Sequence, residues 1–219
     1  MKIYWSYTIG DTEDTFPNEF VGGPKKYLSG YDMKYDHAKC PAWKEYFKNT
    51  WVIEQPFDLG IKFNKDRIDT NIPQKAYDQY FHVSDTWLNG DYPEIQLKYN
   101  WFFWTKEKNV WVEQLAPPLL ARQGVELVQG TFPISVWFRP IVIGMKLIDN
   151  DILLPRGTPL SHIRFPSKTQ VQLEQRKPPK ELTSQLQQHN TLRLFTKFKS
   201  WDIIKQRLNK ENKCPLRWN

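Results

Sequence analysis

The residues that could do chemistry are few and widely spaced. The 219-residue chain has four histidines. One of them, His82, has a carboxylate close by in Phe81-His82-Val83-Ser84-Asp85, and His162 follows much later. Two imidazoles and one carboxylate make the facial triad that holds Fe(II) and leaves positions open for oxygen and substrate. His82, Asp85 and His162 are therefore the ligand set of one alternative, an Fe(II)-dependent oxygenase-like enzyme on a β-sandwich. The spacing works against it. Such sites use His-x-Asp/Glu, and His-x-x-Asp turns the carboxylate to the opposite face of a strand, because strand side chains alternate.

The remaining motifs are fragments. His37 and Cys40 stand three residues apart, but a thiol nucleophile needs its base in hydrogen-bond reach and a third group to orient that base. Gly22-Gly23-Pro24-Lys25-Lys26 lacks the Gly-Lys-Ser/Thr step and following helix of a phosphate loop. Asp149-Asn150-Asp151 lacks the downstream glycine and glutamate of a calcium loop and reads as a β-turn. Glu54, Asp58, Asp66 and Asp69 cluster without a pattern that assigns acid and base roles. Cys40 and Cys214 are too far apart for a zinc motif, and each precedes a proline. They read as reduced thiols at element boundaries. No catalytic residue is assigned, the enzyme reading is the weaker one, and Fe(II) enters only under the alternative.

Aromatic and basic residues carry the stronger signal. In Lys98-Tyr99-Asn100-Trp101-Phe102-Phe103-Trp104-Thr105-Lys106 the aromatics occupy both faces of a strand. One face is core. The other, Phe102 and Trp104, either packs beneath another element or lies open to stack bases or sugars or to meet another copy of the chain. The open version defines a second alternative, a small-ligand or glycan-binding module with Phe102 and Trp104 as stacking residues.

The formal net charge is +7, and it is unevenly spread. From Arg164 to Asn219 there are 13 Lys and Arg against 4 Asp and Glu, and the rest of the chain is slightly acidic. A basic quarter of this kind suits an anionic partner, nucleic acid or an acidic protein. Lys197, Lys199, Lys205, Arg207 and Lys210 are the cations expected to contact phosphates or other anions and release counterions.

These residues need a scaffold. Aromatics make up 15% of the chain, enough apolar area to offset the ordering entropy of a fold. No run reaches the roughly 20 apolar residues of a membrane span, and the amino-terminal residues lack a signal-peptide core, so a cytoplasmic protein is expected. Strand signals recur at Lys2–Thr8, Thr50–Glu54, Phe57–Phe63, Arg67–Ile72, Ile95–Trp104, Val110–Leu115, Val125–Val128, Ile134–Phe138, Ile141–Leu147, Ile152–Leu154, Ser161–Phe165 and Gln170–Gln175, with Gly, Pro and Asn between them. Ile95–Trp104 and Val110–Leu115 read as the clearest hairpin. Pro41 starts a short helix over 42–47, and residues 10–39 form a long irregular stretch. Beyond Lys177-Pro178-Pro179-Lys180, apolar residues recur every three or four positions from Leu182 to Leu208. The fold expected is mainly β: an antiparallel sandwich or jelly-roll-like domain over 1–176. A basic amphipathic helical segment, 177–219, packs on it.

Cys40-Pro41-Ala42-Trp43, Asn49-Thr50-Trp51-Val52-Ile53 and Pro56-Phe57-Asp58-Leu59 resemble a pattern in uncharacterised proteins of tailed phages, particularly marine and cyanobacterial T4-like ones. Phe138-Arg139-Pro140 and Leu154-Pro155-Arg156-Gly157-Thr158-Pro159-Leu160-Ser161-His162-Ile163 are similar to the same group. The resemblance spans about residues 35–170 and implies a phage-encoded protein of the host cytoplasm or the virion. It brings no activity with it. The leading expectation is a non-enzymatic binding or assembly protein, in which homo-oligomers are allowed.

Overall fold

The computed structural model describes residues 1–7, 23–27, 39–64, 67–83, 93–99, 101–118 and 120–183. The strands along them are β1 (Lys2–Ser6), β2 (Lys25–Lys26), β3 (Thr50–Glu54), β4 (Leu59–Asn64), β5 (Arg67–Thr70), β6 (Phe81–Val83), β7 (Glu94–Leu97) and β8 (Phe102–Trp104). Then follow β9 (Trp111–Leu115), β10 (Val125–Leu127), β11 (Gly130–Pro133), β12 (Ile143–Leu147), β13 (Asp151–Leu154), β14 (Pro159–Arg164) and β15 (Gln172–Gln175). Two short helices, α1 (Pro41–Tyr46) and α2 (Gln74–Tyr80), interrupt the series. The fold is mainly β, as the strand signals imply.

Among the described residues four sheets form, ordered β15-β1-β8, β10-β12-β7-β6, β11-β9-β14-β3-β2 and β13-β4-β5. Neighbouring strands are antiparallel except β1 and β15, which run parallel with Lys2 opposite Gln172 and Trp5 opposite Gln175. Period-two alternation decides which side chains turn inward. In β12, Ile143, Met145 and Leu147 are buried, and Gly144 and Lys146 between them are half-buried. One core gathers the inner faces of all four sheets, with Ile3, Phe103, Ile53, Ile163, Leu59, Ile61, Ile95 and Met145 among its members. Each such aliphatic side chain contributes roughly 1.5–3 kcal/mol by leaving water.

Buried polar pins fix the segments between strands. Asn49 is 4% exposed. Its Nδ2 donates to the carbonyls of Ser167 and Thr169 at 3.0 and 2.9 Å, and its Oδ1 accepts from the Val171 N–H at 2.9 Å. One amide thereby ties the 165–171 segment to the start of β3. Gly124 has φ +73°, and its carbonyl accepts from the Ile148 and Asp149 N–H groups. A side chain there would also meet Asp149, whose Oδ2 lies 2.6 Å from an added Cβ.

Several expectations need correction. Residues 95–104 do not form one strand of a hairpin with 110–115. They divide into β7, which pairs β12 and β6, and β8, which pairs β1, and β9 pairs β14 and β11 instead. The alternation itself is as expected, for Ile95, Leu97, Tyr99, Trp101 and Phe103 all face the main core. The chain changes sheets where the Lys98 N–H is drawn to the Tyr80 carbonyl at 2.7 Å. Residues 134–136 form a turn after β11, closed by the Val136 and Trp137 N–H groups on the Pro133 carbonyl. Helix α2 and strand β6 lie where no element is expected. Most of the 10–39 stretch falls outside the described residues.

Candidate functional site

Two outer sheet faces gather the aromatic and charged residues. The first is the outside of the β15-β1-β8 sheet. Alternation sends Ile3, Trp5 and Phe103 into the main core and turns Tyr4, Phe102 and Trp104 the other way. There Phe102 and Trp104 stack with centroids 5.3 Å apart, and Tyr4 meets Trp104 at 5.7 Å. Phe138 and Leu182 close over them. Leu182 belongs to a helical turn over 180–183, held by Thr183 N–H and Oγ1 bonds to the Pro179 carbonyl. Phe102 is 0% and Trp104 2% exposed. The stacking role of Phe102 and Trp104 is therefore corrected: these rings fill a second small core and present no face to a ligand.

Cations rim this sealed cluster. The Arg176 N–H donates to the Trp5 carbonyl at 2.9 Å, and its guanidinium lies 5.2 Å from the centroid of Tyr4. Lys177 and Lys180 are exposed beside it. Lys2 pairs with Glu174 at 3.2 Å, both half-exposed, a contact worth little in water. This rim is the root of the basic segment. Lys197, Lys199, Lys205, Arg207 and Lys210 lie outside the described residues.

The second face is the outside of the five-stranded β11-β9-β14-β3-β2 sheet. His162 lies opposite Val52 on β3 and Leu115 on β9. It is 3% exposed, between the edges of Tyr27 (4.8 Å, 80°) and Phe47 (5.5 Å, 85°). The irregularity in β14 between Pro159 and Ser161 resets the alternation, so that Ile163 faces the core and His162 the outside. One row further on, Arg164 lies opposite Glu113 and donates to its carboxylate from Nε. The Arg164 guanidinium lies 3.9 Å from the ring centroid of Tyr46, which is 44% exposed. Along β9, Val112 joins the core, and Trp111, Glu113 and Leu115 face outward, half-buried.

The two histidines proposed as Fe(II) ligands do not share a sheet. His82 is exposed on β6, opposite Gln96 of β7, and His162 is buried in the five-stranded sheet. Asp85 lies outside the described residues. No group of three His, Cys, Asp or Glu placed to hold a metal occurs among the described residues. Cys40 is an exposed free thiol whose pKa is lowered by the Trp43 and Ala42 backbone amides; His37 is outside the described residues. Asp149-Asn150 forms the bend between β12 and β13, where the Asn150 carbonyl accepts from the Phe63 N–H, and Asp151, the first residue of β13, pairs with Lys62 at 3.3 Å. Within the main core, Tyr99 donates to Gln55 Oε1 at 3.1 Å, and burial pushes its phenol well above the usual range.

Sequence reasoning missed Tyr46, Trp111, Glu113 and Arg164. The alternation of Trp111-Val112-Glu113-Gln114-Leu115 shows which side chains share a face. Only the register of β9 against β14 brings Arg164 to Glu113. Among the described residues, no helix is long and apolar enough to cross a membrane. No family model matches the chain, and neither does any curated protein or solved structure.

Proposed function

We propose that this protein is a non-enzymatic binding or assembly protein that engages an anionic partner through its basic C-terminal segment. One observation carries the reading: the positive charge is concentrated from residue 164 onward, and that segment is rooted on the β core by the fully buried Leu182. The root leaves Arg176, Lys177 and Lys180 exposed at its base. Cations concentrated along one stretch of chain favour a polyanion over a small anion. Phage encoding, with a role in the host cytoplasm or the virion, belongs to the same proposal and rests on the residue phrases quoted above.

The test is binding of fluorescent single- and double-stranded oligonucleotides across a salt series. The full chain is compared with a full-length variant carrying Lys197→Gln, Lys199→Gln, Lys205→Gln, Arg207→Gln and Lys210→Gln. Truncation is a poor comparison because it would unseal Trp104. If all five cations meet phosphates, the slope of log K against log salt falls by about 4 in the variant. Failure of the full chain to bind at low salt would remove nucleic acid as the partner and turn the search to acidic proteins.

A further inference from the structure

We infer that the outer face of the five-stranded sheet, around Trp111, Tyr46, Arg164 and Glu113, is a binding platform for neutral carbohydrate. Three observations lead there. First, the register puts the residues on one surface. Trp111 and Glu113 are two apart on β9, so they share a face, and Glu113 is opposite Arg164 on β14. Second, the aromatics are accessible. Tyr46 is 44% exposed and Trp111 is half-buried, whereas Phe102 and Trp104 on the other sheet are 0% and 2% exposed. Third, the polar groups beside Tyr46 are held in place, with about a fifth of each side chain exposed. Arg164 is bonded to Glu113 through Nε and lies over Tyr46.

That combination suits one kind of ligand. A pyranose ring has C–H faces that pack on an aromatic plane and hydroxyl edges that want donors and acceptors beside it. Guanidinium N–H groups and carboxylate oxygens supply both. The Arg164–Glu113 pair is neutral as a unit, so it gives a phosphate or sulfate no net attraction. The half-buried Trp111 offers a sugar ring a stacking position on the outer sheet face. This surface is separate from the cationic rim on the β15-β1-β8 sheet, and its ligand is of another class.

The experiment is electrophoresis of the full chain through native gels that contain laminarin, xylan, dextran, glycol chitin or polygalacturonate. Retardation by at least one neutral polysaccharide, unchanged in 0.5 M NaCl, is expected. Trp111→Ala should weaken it about ten-fold or more and Tyr46→Ala by a smaller factor. Trp111→Phe, which keeps a ring and tests for loss of fold, should retain part of it. Trp fluorescence should shift on adding the retarding polysaccharide and not shift in Trp111→Ala. Migration unaffected by every neutral polysaccharide overturns the inference. Retardation by polygalacturonate alone, abolished by salt, also overturns it and assigns that binding to the basic segment. Retardation that survives in folded Trp111→Ala does the same.

Discussion

The two outer faces are built from the same kinds of residue and end in opposite states. On the β15-β1-β8 sheet, Tyr4, Phe102 and Trp104 are shut in by Phe138 and Leu182. On the five-stranded sheet, Tyr27 and Phe47 cover His162 and Val52, but Tyr46 keeps 44% of its surface exposed and Trp111 is half-buried. Both faces have an arginine over a tyrosine, Arg176 on Tyr4 and Arg164 on Tyr46. The difference lies in what is laid on top. Aromatic content alone does not make a surface; the covering segment decides whether a ring stabilises the fold or meets a partner.

The sharpest way to break this comparison is to remove one tryptophan from each face. Trp104→Ala should cost about 3–5 kcal/mol, because a large side chain leaves a cavity that cannot collapse fully. Chemical denaturation with a well-defined baseline would measure it. A cost under about 1 kcal/mol would mean that the cluster is loosely packed. Leu182→Ala comes next, at about 2–4 kcal/mol. It should also make Trp104 accessible to a fluorescence quencher. Unchanged quenching would show that Leu182 is not the seal.

Alkaline pH tests the core shared by both faces. Tyr99 has a folded pKa raised above its usual value of 10.0, mainly by burial. The unfolded chain then ionises first, so this contribution is complete below about pH 10 and falls as pH rises above it, by at most about 1.4 kcal/mol per pH unit. Tyr99→Phe should flatten the stability–pH slope above pH 10. An unchanged slope would assign it to other groups. The smallest effect belongs to Trp111→Ala, about 1 kcal/mol or less, since the ring is only half-buried. A loss as large as that of Trp104→Ala would erase the contrast between the faces.

Much of this fold is legible in the sequence, and the limits follow from what period-two patterns encode. β1, β9 and β12 fall where alternating apolar residues place them, β3 where a β-branched and aromatic run does, and β14 where a strand signal between turn residues does. Alternation also identifies the inward set from Ile95 to Phe103. It cannot say which strand pairs with which, so the apparent hairpin of 95–104 with 110–115 dissolves into three sheets. Helix α2 escapes notice because Gln74-Lys75-Ala76-Tyr77-Asp78-Gln79-Tyr80 buries only Ala76 and Tyr80, too few for a helical stripe. The candidate surface is hidden for a similar reason. Tyr46, Glu113 and Arg164 come from three separate segments, and no local spacing links them. Phe102 and Trp104 are conspicuous in the sequence because they are bulky and adjacent to lysines, and bulk is equally the mark of a buried cluster.

The parallel pairing of β1 with β15 sets the order of events during synthesis. Lys2 waits for Gln172. At about 5–20 residues per second, the ribosome takes on the order of 10–35 s to supply β15 after β1 has emerged. For that interval β1 has at most β8 beside it, and the Met1 amine lacks the Gln170 carbonyl that accepts its hydrogen bond at 3.1 Å. Among the described strands β15 is made last, so the β15-β1-β8 sheet is the last of the four to be completed, and the basic segment follows directly behind it.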